Sequence, residues 1–374
     1  MRGHGFVLLM MLLTGGWVVP GEAQTNATPR PMATPAPTPT PVASPSGSPV
    51  AVPPLVEGLS PGERRRILSA LPPGYVDQAT RDNPEPSART VAELLSRLGP
   101  KAVLEPQAPA NGPLKSDRPF RKEIVFGRFG YIRLGGINPD VLAKLDDALK
   151  EFLAHNITGL VLDLRTVPPG NDYGQAAEIA ARFVPRNTEV FRLIQAGTQE
   201  AHAFVTGTEP LFTGPLALLV NADVAGAGEA LAAVLKRSGH ALLIGERTAG
   251  QTVQYERVPI GQNLILKVAV AEIKVPGLPD IFQNGLAPDL EVKLQPADQT
   301  SILSATDTDS ILAFLVEEER PRTNEAALVA GKNPDLDAYE QQQANKGKPG
   351  KLKDAPLQRA FDFLTTLAFY HPNQ

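Results

Sequence analysis

Apolar residues recur along this chain with two spacings. Between Val141 and Leu153 they fall at Val141, Leu142, Leu145, Leu149, Phe152 and Leu153, one stripe of a 3.6-residue helix. Asn138 followed by Pro139 supplies the cap and first position of that helix, which is predicted to run to about His155. Before it, Ile124-Val125-Phe126, the pair Gly127-Arg128 and Phe129 to Leu134 read as a hairpin. After it, Gly159 to Leu164 is a nearly continuous apolar run, the mark of a strand covered on both faces. Strand, helix and strand in this order imply a parallel pair joined by a right-handed crossover. The unit recurs as a helix from about Tyr173 to Phe183, a strand at Leu216 to Asn221, a helix from about Gly226 to Arg237 and a strand at Ala241 to Gly245. Strands from Leu264 to Val270 and from Asp289 to Leu294 follow. The expected fold class is α/β, a core of repeated β-helix-β units.

Helical patterns flank this core. Ser60-Pro61-Gly62-Glu63 has the form of an N-cap with proline at the first helical position, followed by Ile67, Leu68 and Leu71. Ser87 to Leu98 places Val91, Leu94, Leu95 and Leu98 on one face. Toward the C-terminus, Asp309 to Glu319 and Leu357 to Tyr370 form two more helical patterns, separated by a lysine- and glutamine-rich stretch. At the other end, Arg2 and His4 precede an apolar run from Phe6 to Leu13, extending loosely to Val19, and Gly21-Glu22-Ala23 supplies a small-x-small cleavage pattern. Interrupted by Gly15 and Gly16, that run is short for a stable membrane span, so export and cleavage near Ala23 are expected, with the protein periplasmic or secreted. Gln24 to Pro54 is built of Pro, Thr, Ala and Ser and cannot bury a core; it reads as a semi-rigid tether. The expected organisation is a signal peptide at 1–23, a linker at 24–54, a helical segment at 55–120, the core at 121–300 and a C-terminal helical segment at 301–374.

Composition changes little in this picture. The hydrophobic fraction of 42% is enough for a sizeable core, and a net charge of −4 gives no electrostatic reason to expect nucleic acid or an anionic membrane as partner. There is no cysteine, hence no disulfide and no lipid-modified cysteine. Lys346 to Lys353 reads as a solvated linker. His155, His202, His240 and His371 are isolated and lack metal-ligand spacing, so neither metal nor cofactor is expected.

Two segments carry candidate chemistry. NADVAGAGEALAAVL, from Asn221 to Leu235, resembles the nucleophile segment of the C-terminal processing (tail-specific) peptidase family, N-x-G-S-A-S-A-S-E. Counting back from the matching acid, Glu229, the family's serine falls on Gly226. GERTAGQT, from Gly245 to Thr252, resembles the family's G-E-x-T-x-G-K-G, whose lysine falls on Gln251. Positions 226 and 251 keep the family's separation of 25 residues. FGYIRLGGI and NGLAPDLEV extend the resemblance over about Phe126 to Val292. It implies a crotonase-like peptidase core; residues 55–120, where many members carry a PDZ domain, are too short and too helical to be one.

The resemblance also implies which chemistry is missing. A family serine attacks a peptide carbonyl while a buried, neutral lysine takes its proton. Gly226 has no side chain with which to attack, and the Gln251 carboxamide cannot hold the proton. Loss of the nucleophile from such a unit costs on the order of 10⁶ in turnover. In LDLRTVPPGN the family's first oxyanion-loop glycine falls on Pro169, which has no N–H to donate, while Gly170 remains at the second position. Gln254 falls on the family's orienting glutamine if the loop is one residue shorter. Thr252 and Tyr255, with Gln251 and Gln254, are candidates to line a peptide-binding pocket. Asp163 and Arg165, at a strand's carboxyl end, read as an internal ion pair, and Gly226 and Gly228 also permit close packing of a helix on a strand. The reading is an exported, inactive peptidase homologue that binds a peptide or protein. Two alternatives stand beside it: an active serine-type peptidase with its nucleophile relocated to Thr248, Thr252 or Ser238, and a scaffold subunit of an envelope protease complex, paired with an active paralogue.

Overall fold

Polar caps open the first helices. The structure, a computed structural model, describes residues 54–107, 118–198, 200–239, 241–315 and 352–370; the expected signal, nearly all of the linker, His240 and His371 lie outside the described residues. After a short α1 (Pro54–Glu57), α2 (Pro61–Ala70) begins in a capping box in which Ser60 accepts from the Glu63 N–H and the Glu63 carboxylate accepts from Ser60. A single turn, α3 (Gln78–Arg81), precedes α4 (Ala88–Leu98), capped by Ser87. A 3₁₀ turn then leads into strand β1 (Ala102–Pro106).

The core begins with the hairpin of β2 (Arg121–Val125) and β3 (Phe129–Arg133), whose turn puts Phe126 and Gly127 at positive φ. Helix α5 (Pro139–Ala154), capped by Asn138, crosses to β4 (Gly159–Asp163), and α6 (Tyr173–Ala180) follows. Two strands that the apolar pattern does not announce come next, β5 (Glu189–Gln195) and β6 (Ala201–Val205). The chain re-enters the core as β7 (Leu216–Val220), α7 (Ala227–Arg237) and β8 (Ala241–Gly245). A hairpin of β9 (Val253–Ile260) and β10 (Leu264–Lys274) precedes a two-residue β11 (Leu290–Glu291). Helix α8 (Pro296–Ala305), also unannounced, and α9 (Ala355–Tyr370) close the order.

These strands form two sheets. One has the order β11-β8-β7-β4-β3-β2 and is parallel except for the β2–β3 hairpin. Along β4, Leu160 and Leu162 face a core shared with α5, α6 and α7, while Val161 packs with α9 on the other side. This double cover is why Gly159 to Leu164 reads as a nearly continuous apolar run. The other sheet is antiparallel. Along one edge β10 pairs first with β1 and then with β5, which carries β6; along its other edge it pairs with β9. Its Leu266, Val268 and Ile260 are buried beneath α2 and α4.

Two expectations are corrected. The strand at Asp289 to Leu294 shrinks to β11, an edge position where Leu290 is 38% exposed and has a partner on one side only. The helix expected from Asp309 begins instead as a 3₁₀ turn, Ile311–Phe314, and its remainder from 316 lies outside the described residues. His202 lies exposed on β6, where its ring meets Phe204 edge to face. Among the described residues no helix is long and apolar enough to cross a membrane.

Candidate functional site

From β7 the chain turns through Asn221 to Ala225 into α7, and at the entry Gly226 takes φ +58° and ψ −125°. That region is strained for any residue bearing a Cβ. The loop after β4 lies against the turn: Gly170 and Gly226 form an isolated parallel bridge, and the Ala227 N–H donates to the Gly170 carbonyl at 2.9 Å. The first backbone donor past Gly226 is therefore already engaged.

One turn further, the buried Glu229 ties the opposite wall to α7. Its carboxylate accepts from the Thr248 hydroxyl, from the Gly250 N–H at 2.8 Å and from the Gln251 N–H at 2.7 Å. The Thr248 oxygen in turn accepts from the Leu286 N–H at 2.8 Å, so the 281–286 loop backs the same clamp. Burial pushes the Glu229 carboxyl above its ordinary range, and the donors around it oppose that shift without cancelling it.

Between these walls lies a cleft of about 200 Å³. It brings together Gly226, Gln251, Pro169, Gly170 and Tyr255, five of the positions read from the sequence. It adds four that were not: Asn171, Val253, Arg257 and Lys267. The Asn171 carboxamide docks on the main chain of Tyr255, donating to its carbonyl at 2.9 Å and accepting from its N–H at 3.4 Å. The Tyr255 hydroxyl donates to the Pro100 carbonyl at 3.0 Å, and burial pushes it up to about 12. The Lys267 ammonium lies 4.2 Å from the centre of the Tyr255 ring. Tyr173, buried in α6, donates to the Val253 carbonyl at 2.8 Å and so fixes where β9 begins.

Thr252 and Gln254 do not line the cleft. Thr252 is fully buried with its hydroxyl unpartnered, which closes off the peptide contact expected of it. Gln254 alternates to the opposite face of β9 from Val253 and Tyr255 and pairs with Ala271. The other hydroxyls considered as nucleophiles have structural partners: Ser238 donates to the Leu235 carbonyl at 2.6 Å where α7 ends, and Thr248 serves Glu229. Among the residues lining the cleft, Tyr255 carries the only hydroxyl. Asp163 and Arg165 form an ion pair behind the cleft, joined by Asp354 ahead of α9.

Arg257 and Lys267 escaped sequence reading because they matter only as a pair. The signal was nonetheless present: Ile260 and Leu264 pair across Gly261-Gln262-Asn263, and counting outward from that turn sets Arg257 directly opposite Lys267.

Comparison with known proteins finds similarity over the same part of the chain. Residues 128–292 match Peptidase family S41. The carboxyl-terminal-processing protease of Synechocystis sp. is 33% identical over 167 residues, covering 45% of this chain and 38% of that protein. The carboxy-terminal processing protease CtpB of Bacillus subtilis is 26% identical over 182 residues, covering 48% of this chain and 37% of its own length. Among solved structures, the photosystem II D1 C-terminal processing protease aligns with a TM-score of 0.40 and 23% identity, covering 56% of this chain and 53% of that one. The chain thus spans well under two thirds of the relatives it matches. Residues 128–292 carry the similarity to peptidase family S41 and to the C-terminal processing proteases.

Proposed function

We propose that this chain is an exported, catalytically silent relative of the C-terminal processing proteases that binds a peptide or protein in the cleft beside Gly226. In this reading Gly226 and Gln251 stand at the family's serine and lysine positions, Gln254 at its orienting glutamine, and the core is crotonase-like. One observation carries it: the cleft that gathers Gly226, Gln251, Pro169 and Gly170 offers no aliphatic hydroxyl, and a backbone carbonyl crowds the place where one would be mounted. The proteolytic activity named for the relatives therefore does not transfer. Binding does, because among the described strands β9 pairs only with β10, and its outer edge at Tyr255 is held by the Asn171 side chain alone, which a bound segment can displace. An extended segment can add to such an edge by main-chain hydrogen bonds. Export rests on the N-terminal pattern of Arg2, the Phe6 to Leu13 run and Ala23.

The test uses the purified full-length protein with casein as an unstructured substrate and a fluorophosphonate probe for activated hydroxyls. No cleavage and no labelling are expected. Labelling that is lost in Thr248→Ala, Thr252→Ala or Ser238→Ala would overturn the silent reading in favour of a relocated nucleophile.

A further inference from the structure

The charged residues that line the cleft are both cations, Arg257 on β9 and Lys267 on β10. In the ladder they stand directly opposite one another, a like-charge cross-strand pair that disfavours the sheet. Neither makes an ion pair or hydrogen bond among the described residues. Lys267 is only half-buried and is held over the Tyr255 ring, which steadies its ammonium without using its three N–H donors. Arg257 is exposed at the cleft mouth, with its guanidinium fork likewise unoccupied. On this face Glu105 of β1 stands opposite Ile265, two residues along β10 from Lys267, and it forms no ion pair with either cation. Four arginines elsewhere in the fold, Arg133, Arg165, Arg182 and Arg192, each meet a carboxylate. In the cleft Arg257 and Lys267 stand together without one.

We infer that the cleft takes the carboxylate of an extended peptide, clamped between Arg257 and Lys267. The inference deepens the peptide-binding reading and rests on it. Arginine presents a planar fork matched to a carboxylate, and lysine adds a point charge from the neighbouring strand. Both lie on strands rather than loops, so their separation is set by the β9–β10 register. A segment that displaces Asn171 from the β9 edge passes Tyr255 and then Arg257, which brings a carboxylate near its end to the basic pair. The carboxylate has two sources, a C-terminal α-carboxylate or an Asp or Glu side chain, and the test separates them.

The experiment presents the full-length protein with a randomised N-acetyl hexapeptide library in two forms, free acid and C-terminal amide, and measures bound peptides against salt. Peptides bearing a carboxylate are expected to be enriched, with affinity falling as ionic strength rises. Enrichment confined to the free-acid form identifies a terminal carboxylate; enrichment of Asp or Glu in both forms identifies a side chain. Arg257→Ala and Lys267→Ala should each weaken these peptides by roughly three- to tenfold. The double variant Arg257→Glu/Lys267→Glu should reverse the preference toward basic peptides, which a merely unfolded protein cannot do. Lys150→Ala, an exposed lysine of α5, controls for net charge and should change nothing. Peptide binding with no carboxylate preference, or a preference that survives the double variant, overturns this inference while leaving the peptide-binding reading intact. Absence of binding by either library overturns that reading, and the inference falls with it.

Discussion

The carbonyl oxygen of Gly170 stands 2.4 Å from the point at which a Cβ on Gly226 would be built. Backbone, not a flexible side chain, fills that space, and the same oxygen accepts the Ala227 N–H. In the proposed reading one atom blocks two requirements of acyl transfer, because a nucleophile would need room at position 226 and an oxyanion free donors beside it.

Restoring the side chain is therefore expected to be costly. Gly226→Ala combines positive φ with a backbone clash and should lower stability by about 1–3 kcal/mol, read as a shifted denaturant midpoint at unchanged slope. Gly226→Ser with Gln251→Lys should still leave casein intact. Cleavage by that double variant would mean that the 168–172 loop yields, and would remove occlusion from the argument.

Glu229 links pH to the integrity of the cleft wall. Removing its carboxylate in Glu229→Ala strands the Gly250 and Gln251 N–H groups in the interior and should cost about 3–5 kcal/mol; chemical denaturation measures it. Burial holds the folded pKa above the ordinary 4.5, so between these values the folded state carries more protons than the unfolded. Stability from this group consequently falls as pH rises through that interval. Glu229→Gln lacks the proton, so the stability gap between wild type and this variant should narrow with rising pH from about 4.5 upward. A gap that widens would contradict the assignment.

The buried network behind β4 behaves with the opposite sign. Arg165 meets Asp163 at 2.7 Å and Asp354 at 2.8 Å, and the Tyr131 hydroxyl donates to Asp163 at 2.9 Å. Burial alone would raise the Asp163 carboxyl, but Arg165 and then Tyr131 outweigh it and hold it below 3.8. Its contribution is complete above that value and is lost as pH falls through the folded one. Asp354→Ala leaves Arg165 half-paired and removes the side-chain acceptor of the Leu357 N–H at the start of α9, so a loss of about 3–5 kcal/mol is expected. Acid titration followed by circular dichroism should place its unfolding at higher pH than wild type.

The parallel half of the fold was legible because its strands are covered on both faces and its helices carry single apolar stripes. The antiparallel half was not. β6 reads Ala-His-Ala-Phe-Val, mostly exposed, and β9 alternates polar residues and contains Pro259, which argues against a strand when read locally. Tertiary pairing with β10 overrides that reading. The cleft was half legible for the same reason. Gly226, Gln251, Pro169 and Gly170 lie in loops and turns whose spacing can be counted, whereas Arg257 and Lys267 depend on a register between two strands, one of which went unrecognised. Thr252 was misjudged because sequence shows a polar residue and not its complete burial.

Asn171 supplies the last test. Its carboxamide meets both the N–H and the carbonyl of Tyr255, the two groups that an added strand would use at that position. A side-chain amide has the donor and acceptor of a peptide unit, so Asn171 stands in for one residue of a bound segment and must leave before that segment can pair there. Exchanging one pair of hydrogen bonds for another brings little net gain, and the edge is thereby held in reserve. Asn171→Ala removes the competitor without adding bulk. Its affinity for extended peptides should rise about three- to tenfold over wild type, while an amide at the same place in Asn171→Gln, one methylene longer, should restore only part of the competition. Isothermal titration with a peptide selected on the wild-type protein decides the matter. An unchanged or weaker affinity in Asn171→Ala would show that the carboxamide supports the ligand instead of competing with it, and would move strand addition away from Tyr255.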